Sequence, residues 1–439
     1  MDISNTSSRM ARLAASVAVA TLGFGALATA AEASTYACRG IERPGIDVVE
    51  GQNGVFYRIH PNLQNSHWIT DQTADDIAAL SEVLAAQGTH LVVVPVPTKA
   101  LAMPEHLPRL ATYAGYDPDL AASVYGESIL QLRERGVMAV DGRAAMRSLA
   151  NAGTAPFHAL DTRPTPEGAQ ALANGVEAVL AAAGHAPRAR QEFQTQQTGR
   201  HLVPSGLRTR LQRHCDYDLP QVEAVTYATG AGLGAAVQAV GTTDNVAVVG
   251  TGLTGAPGTN FAGFISQATG RPAQALHAPG EDAFAAISSY VTSAAFQASR
   301  PGVLVWEFPI WADLGRFGDQ PMAELIAGAG GACSVELPVQ AGANPNRVQA
   351  GLTRVSQPQN AVLMLDTGGT PASRVAFRFA ASDGAQRVKS IHRSDGHILN
   401  GRFYLPMSGL WPEGATGVEI ETDAGFGARP RLVACTIAR

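Results

Sequence analysis

Three short stretches of this chain place reactive residue types where α/β proteins keep such groups. They run from Pro95 to Lys99, from Asp161 to Ala169 and from Gly250 to Thr254. In an open α/β sheet, functional groups gather in the loops at the carboxyl ends of the strands. The stretches carry a carboxylate, a lysine and several hydroxyls, and His158 precedes the second. A hydroxyl, an imidazole and a carboxylate are the groups used in nucleophilic acyl transfer.

The elements predicted around these loops form a parallel sheet. Thr73 to Gln87 has apolar residues at helical spacing and ends before Gly88, and the β-branched run His90 to Pro97 follows as a buried strand. Further helices are predicted at Leu120–Arg135 and Pro166–Ala183, and further strands at Asn245–Val249 and Gly302–Trp306. This alternation predicts a parallel sheet with helices on both faces.

The pattern changes after Ile326. The Gly/Ala stretch Ala327–Ala332 is the predicted boundary, which divides the chain into domains 34–327 and 328–439. Short β segments separated by turn residues follow, at Ala361–Asp366, Val375–Phe379, Arg402–Pro406, Gly417–Thr422 and Arg431–Ala438. Short strands at this spacing predict a β-sandwich or jelly roll.

The first 33 residues are predicted to be a signal peptide. Arg9 and Arg12 precede an apolar, Ala-rich run, and Ala31-Glu32-Ala33 supplies a small-x-small cleavage pattern. An uncleaved anchor is the alternative. The formal charge of −5 indicates no general attraction to nucleic acid or to a membrane surface, so an acidic polymer would have to meet local basic clusters.

Four cysteines follow the predicted signal peptide, and an even number in an exported chain predicts disulfides. None forms a CxxC pair, so no metal or redox site is expected. The sequence allows three pairings. The natural one joins Cys38 to Cys215 and Cys333 to Cys435, because each bond then lies within one predicted domain.

The order and spacing of these segments resemble the AlgX/AlgJ family of periplasmic alginate O-acetyltransferases. In that family a VPVPTK strand leads to a D-T-H-W-[ST]-P-x-G-A motif and then to a G-T-S loop. The surroundings of Cys38 and Cys215, and the segment Trp306-Glu307-Phe308-Pro309, are also similar. The resemblance implies a periplasmic, cofactor-free protein, with an SGNH-hydrolase-like α/β domain followed by a β-sandwich similar to a carbohydrate-binding module.

The family's catalytic triad is incomplete in this chain. Asp161 falls on the aspartate, but Arg163 stands at the histidine position and Gly252 at the serine position. Arginine does not accept a proton near neutral pH, and glycine carries no nucleophile. The alternative is a rebuilt site in which His158 activates Thr251 or Thr254. Otherwise that histidine is a plain loop residue and the threonines hydrogen-bond within their own turn.

Other residues near the predicted cleft are weighed between a structural and a substrate-binding role. Arg163 is expected to form a salt bridge with Asp161, or else to bind a uronic acid carboxylate through two hydrogen bonds. Lys99 either contacts substrate or is a solvated loop lysine. Trp306 is expected in the core and Glu307 in the cleft, while His67-Trp68 has no motif around it and is read as structural.

A basic cluster in the C-terminal domain stands close to aromatic residues. Lys389, Arg393 and Arg402 would supply charge, and Tyr404 or Trp411 a stacking face. Cations beside aromatic platforms suit an acidic sugar polymer. A solvated face is the alternative, and the resemblance to a carbohydrate-binding module favours binding.

The sequence therefore predicts a periplasmic component of alginate-like exopolysaccharide O-acetylation or export. We expect it to be catalytically silent and to act as a polysaccharide-binding or scaffold protein. Its expected partners are an acidic exopolysaccharide, a membrane-bound O-acyltransferase complex and the export machinery, with no nucleic acid. One alternative is an active O-acetyltransferase or acetylesterase with a rebuilt site. The other is a scaffold that touches no sugar.

Overall fold

The computed structural model of the chain describes residues 34–187, 189–231, 244–256, 258–312, 314–315, 320–342 and 344–437. The predicted signal peptide, residues 1–33, lies outside these described residues. An α/β part comes first, and a β part follows it.

The α/β part contains a series of helices whose positions agree closely with the sequence periodicity. Thr70 caps the second helix by accepting from the backbone N–H of Thr73, and Thr165 caps the seventh by accepting from Gly168. The helices are α1 Ile59–Asn62, α2 Asp71–Ala86, α3 Lys99–Ala102, α4 Arg109–Tyr113, α5 Pro118–Glu134, α6 Gly142–Asn151, α7 Pro166–Ala182, α8 Gly206–Leu211, α9 Phe261–Thr269, α10 Ala283–Val291, α11 Ala294–Ala298 and α12 Gln320–Gly330.

A five-stranded parallel sheet with the order β4-β3-β9-β7-β8 forms the centre of this part. The strands of the α/β part are β1 Val48–Glu50, β2 Phe56–Arg58, β3 His90–Val96, β4 Met138–Ala139, β5 Phe193–Leu202, β6 Glu223–Ala231, β7 Val246–Gly250, β8 Ala273–His277 and β9 Val303–Pro309. Every residue of β7 and β9 is buried, as expected for strands covered on both faces. The predicted parallel sheet is confirmed. Two small antiparallel pairs, β1-β2 and β5-β6, lie outside it.

The β part is a sandwich of two antiparallel sheets, ordered β10-β18-β13-β16 and β11-β12-β17-β14-β15. Its strands are β10 Gly331–Leu337, β11 Val339–Ala341, β12 Arg347–Gly351, β13 Ala361–Asp366, β14 Arg374–Ala380, β15 Gln386–His392, β16 Arg402–Pro406, β17 Gly417–Thr422 and β18 Arg431–Ile437. Buried side chains alternate along β14 and β17, so each sheet turns one face to a shared core. The predicted sandwich is confirmed.

Helix α12 joins the two parts. Ser34–Arg439 forms one compact unit, so the division after residue 327 stays a prediction. The Gly/Ala stretch expected at that boundary is not a linker, because its first four residues form the last turn of α12. On this helix Leu325 packs into the α/β core, while Ala327 packs against Tyr404 of the sandwich.

Both predicted disulfides are confirmed. Cys38 bonds to Cys215, and Cys333 bonds to Cys435 across β10 and β18. Two disulfides of this kind indicate an oxidising compartment. Among the helices of the described residues, none is long and apolar enough to cross a membrane.

Candidate functional site

The three sequence stretches do lie at one end of the parallel sheet. Strands β3, β7 and β9 are parallel neighbours, so their carboxyl ends meet at one edge. The first stretch continues from β3 into α3, the third follows β7, and Asp161 lies in the segment that leads into α7. Nothing in the described residues groups His, Cys, Asp or Glu closely enough to hold a metal ion.

Lys99 is not a solvated loop lysine, so that expectation is wrong, and its contact with a substrate stays a prediction. Only 1% of the residue is exposed, and its Nζ donates to the carbonyl oxygens of Phe56 (2.9 Å), His158 (2.7 Å) and Ala159 (3.2 Å). Three acceptors match the three N–H groups of an ammonium. Burial lowers the pKa of Lys99 to about 7, although the negative charge of Asp161 acts to raise it. The side chain fixes the segment that precedes Asp161.

Asp161 is buried and forms a bidentate salt bridge with Arg163, whose side chain is 24% exposed. Arg163 Nε lies 2.6 Å from Oδ1 of Asp161 and Nη2 lies 2.7 Å from Oδ2. The Arg163 backbone N–H also donates to Oδ1, and Nη2 reaches the carbonyl of Pro204 at 2.8 Å. Burial by itself would raise the pKa of Asp161, but the arginine outweighs it and holds the pKa below its usual value. The expected salt bridge is therefore present, and it occupies the carboxylate that would orient a histidine.

His158 lies beside this pair and is half-buried. Burial lowers the pKa of its imidazole, although the Asp161 charge acts the other way. Together with Arg163 and Thr259, the imidazole lines a cavity of about 10 Å³. Such a volume holds no more than one water molecule.

Gly252 occupies the predicted nucleophile position in the turn after β7. Its backbone N–H donates to the carbonyl of Gly280 at 2.9 Å. A Cβ built on Gly252 would lie 3.3 Å from the Gly280 oxygen and 3.4 Å from its nitrogen. A small side chain would fit here after a slight shift, so steric exclusion does not explain the missing serine.

The flanking threonines are engaged by a buried carboxylate. Thr254 Oγ1 donates to Oε2 of Glu307 at 2.7 Å, and Thr251 Oγ1 lies 3.1 Å from both carboxylate oxygens. Glu307 has no exposed surface, so its expected place in the cleft is wrong. Burial raises the pKa of Glu307, although the hydrogen bonds from Thr251 and Thr254 act to lower it. A Cβ on Gly250 would lie 2.4 Å from the Glu307 carboxylate, which explains a glycine there.

Most side chains of the basic cluster in the sandwich bind other groups of the same chain. Arg393 is 2% exposed and pairs with Glu324 of α12 at 2.8 Å, with its guanidinium 4.3 Å from the Phe403 ring. Tyr404 is 1% exposed and packs against α12. The expectation that these two side chains face solvent is wrong, and their contact with a polymer stays a prediction.

The remaining members of the cluster are also paired. Lys389 Nζ donates to the carbonyls of Pro406 and Ser408, and thereby ties the edge strand β15 to the loop after β16. Arg402 pairs with Asp366 at 3.0 Å. Trp411 is half-buried, and the guanidinium of Arg387 lies 5.0 Å from the centre of its ring. The Lys389 contacts join strands of the two different sheets, whereas Arg402 and Asp366 lie on neighbouring strands of one sheet.

Sequence reasoning missed a group of contacts beside the Gly252 turn. Glu281 accepts from Arg58 at 3.0 Å and from the indole Nε1 of Trp311 at 3.1 Å. It directly follows Gly280, whose carbonyl accepts from the Gly252 N–H. These partners are far apart in the sequence, and only the position of Trp311 directly after the strand β9 could have drawn attention to it.

One family model matches the chain, over residues 48–310, and it describes the SGNH hydrolase-like domain of the acetyltransferase AlgX. The probable alginate O-acetylase AlgJ of Pseudomonas syringae pv. tomato is 28% identical over 291 residues, or 63% of this chain and 73% of that protein. The alginate biosynthesis protein AlgX of Pseudomonas aeruginosa is 26% identical over 273 residues, or 61% of this chain and 57% of that protein.

Two solved structures share the fold. That of Pseudomonas aeruginosa AlgX superposes with a TM-score of 0.72 at 20% identity, covering 89% of this chain and 95% of that one. The O-acetyltransferase domain of Pseudomonas putida AlgJ superposes with a TM-score of 0.51 at 23% identity, covering 64% and 98%. The likeness to AlgX extends over both the α/β part and the sandwich.

Proposed function

The chain belongs to the SGNH hydrolase-like family of the acetyltransferase AlgX, a family of alginate biosynthesis and O-acetylation, and we propose that it is a catalytically silent member. It would bind exopolysaccharide, or hold its partners together, during O-acetylation or export in the periplasm. A membrane-bound O-acyltransferase complex and the export machinery are the proposed protein partners. The disulfides fit that compartment.

The salt bridge between Asp161 and Arg163 carries this proposal. Acyl transfer by this type of site needs a nucleophile, a base and a carboxylate that orients the base. Here the carboxylate binds a guanidinium that cannot act as a base. Gly252 offers no oxygen in place of the serine.

Contacts around the site also disfavour the rebuilt alternative. Both threonine hydroxyls next to Gly252 bind the buried Glu307 carboxylate. The cavity that His158 lines with Arg163 and Thr259 is too small for an acetyl donor. Lys99, whose pKa of about 7 would suit a base, is buried with its N–H groups directed at three carbonyls. The hydroxyls of Thr251 and Thr254 therefore have the buried Glu307 carboxylate, and not His158, as their hydrogen-bond partner.

An acidic exopolysaccharide remains the proposed polymer partner, but the sandwich cluster supports it less than the sequence suggested. Arg393 and Tyr404 are buried, and Lys389 and Arg402 have internal partners. Of the residues proposed for binding there, Lys389, Arg402 and Trp411 keep part of their surface exposed.

An acetyl ester assay tests the proposed silence. We expect purified full-length chain to hydrolyse a chromogenic acetyl ester no faster than buffer, and its intact mass to show no acetyl adduct. Gly252→Ser should also stay at the blank rate, since Arg163 still occupies the position of the base. Gly252→Ser combined with Arg163→His frees the Asp161 carboxylate and should restore measurable turnover. Wild-type turnover that is abolished by His158→Ala or by Thr254→Ala would instead establish the rebuilt site.

A further inference from the structure

The loop between β15 and β16, residues 394–400, extends from the sandwich to the α/β part. It lies along α10, where the N–H of Ile398 donates to Oγ of Ser289 at 3.0 Å. Nδ2 of Asn400 donates to the carbonyl of Ser289 and to Oγ1 of Thr292, each at 2.8 Å. These hydrogen bonds use backbone and side-chain groups of both parts, so they fix the position of the loop on the helix.

The sandwich holds both ends of this loop. Arg393, which precedes the loop, is 2% exposed, and its backbone N–H donates to the carbonyl of Ser373 at 2.9 Å. Its Nη1 donates to Oδ1 of Asn400 at 3.2 Å, and the N–H of Arg402 donates to the same oxygen at 3.0 Å. A movement of the sandwich would therefore carry the loop with it.

Asp282 is the residue of the α/β part that binds the start of the loop. Oγ of Ser394 donates to Oδ2 of Asp282. The same hydroxyl oxygen lies 2.9 Å from Nδ1 of His397, whose side chain is 7% exposed. Oδ1 of Asp282 caps α10 by accepting from the N–H of Phe284 at 2.9 Å. The Asp282 carboxylate thus links the first turn of α10 to the sandwich.

Residues 279–282 form a short segment between β8 and α10, and this segment also binds the turn at the former nucleophile position. The carbonyl of Gly280 accepts from the N–H of Gly252 at 2.9 Å. On the sandwich side, a Cβ built on Gly396 would lie 3.3 Å from the carbonyl oxygen of Pro279. The 279–282 segment therefore lies between the 394–400 loop and the Gly252 turn.

Two further contacts anchor the 279–282 segment, and they differ in strength. Glu281 accepts from Trp311 and pairs with Arg58 at 3.0 Å, with 48% and 33% of the two charged side chains exposed. Exposed ion pairs contribute little, because water and salt screen them. The Asp282 side chain is only 21% exposed, and a hydrogen bond from Ser394 to a carboxylate is about twice as strong as a neutral one. The sandwich therefore supplies the stronger anchor.

We propose that the 394–400 loop is a clasp by which the sandwich keeps the 279–282 segment closed against the Gly252 turn. Closure keeps the Gly252 N–H bound to Gly280, whereas opening frees a backbone donor of the kind that binds a ligand oxygen at such a turn. A ligand that binds the sandwich more tightly when the loop is released would open the site from a distance. The clasp rests on these contacts alone and does not depend on catalytic silence.

Hydrogen exchange at Gly252, followed by mass spectrometry of peptides from the full-length chain, tests the clasp. A protected amide exchanges when its hydrogen bond opens locally, so the exchange rate reports the opening equilibrium. Ser394→Ala removes the donor to Asp282 and should raise the exchange rate at Gly252 about tenfold or more, the range for a lost hydrogen bond to a charged group. Ser394→Thr keeps a hydroxyl and should keep the wild-type rate.

Ser373→Ala is the matched control. Oγ of Ser373 also donates to a carboxylate, that of Asp423, but both residues belong to the sandwich. This variant should leave exchange at Gly252 unchanged, and the buried strand β3 should exchange at the wild-type rate in every variant.

Three results would each overturn the proposal: unchanged exchange at Gly252 in Ser394→Ala, an equal increase in Ser373→Ala, or an increase that extends equally to β3. The last would mean that the whole domain opens rather than one segment. Esterase activity in the wild type would refute the proposed silence and leave the clasp standing.

Discussion

Replacing Lys99 by methionine should make the stability difference between wild type and variant depend on pH. Lys99 is 1% exposed, and burial lowers its pKa from 10.5 to about 7. Between these two values the unfolded chain holds a proton that the folded chain has released. Stability therefore rises with pH across this window, and only the wild type carries the titrating group.

The size of the effect follows from the two pKa values. Below pH 7 the lysine is protonated in both states, and the cost of burying its charge is constant. From pH 7 to pH 9 the wild type should gain about 2 kcal/mol of unfolding free energy relative to Lys99→Met, since one pKa unit is worth about 1.4 kcal/mol. Other titrating groups are common to both proteins and cancel in the comparison.

Urea unfolding followed by tryptophan fluorescence, at pH 7 and at pH 9, measures this difference. Lys389→Met is a suitable control, because that lysine is only half-buried and its pKa is lowered by burial and by Arg387. Its pH dependence should be clearly smaller. If the gap between wild type and Lys99→Met is equal at the two pH values, Lys99 stays charged throughout, and the argument from burial is refuted.

Two further predictions concern the packing of the site and of the junction between the two parts. Gly250→Ala should cost about 2 kcal/mol or more in urea unfolding, because its Cβ would meet a hydroxyl at 2.2 Å and a carboxylate at 2.4 Å. Gly252→Ala, with its nearest contact at 3.3 Å, should cost well under half as much, and equal costs would contradict the geometry. Arg393→Met should cost about 3–5 kcal/mol, since it leaves the Glu324 carboxylate buried without its cation. Arg431→Met breaks an exposed pair and should leave the melting temperature unchanged. If Arg393→Met lowers the unfolding free energy only slightly, Glu324 takes up a proton once its arginine partner is removed.

Much of the architecture follows from local patterns in the sequence. The helix Asp71–Ala86 and the strand His90–Val96 were predictable because the apolar period changes from helical to a continuous β-branched run. The strand Arg402–Pro406 agrees with its predicted bounds, because turn residues border it. Both disulfides followed from the order of domains along the chain. The motif spacing identified the family, and it predicts Gly252 and Arg163 at the serine and histidine positions of the triad.

The state of each side chain at the site was decided by the tertiary structure alone. Lys99 is buried because the carbonyls of Phe56 and His158, 43 and 59 positions away, converge on its ammonium. Arg393 lies in the interior because α12 brings Glu324, 69 residues earlier in the chain, against the sandwich.

Sequence determined which residue types stand at each strand end, and from these types it predicts the loss of the usual nucleophile and base. It could not determine which charges are exposed. Exposure depends on which distant backbone and side-chain groups converge on a position, and that convergence exists only in the folded chain.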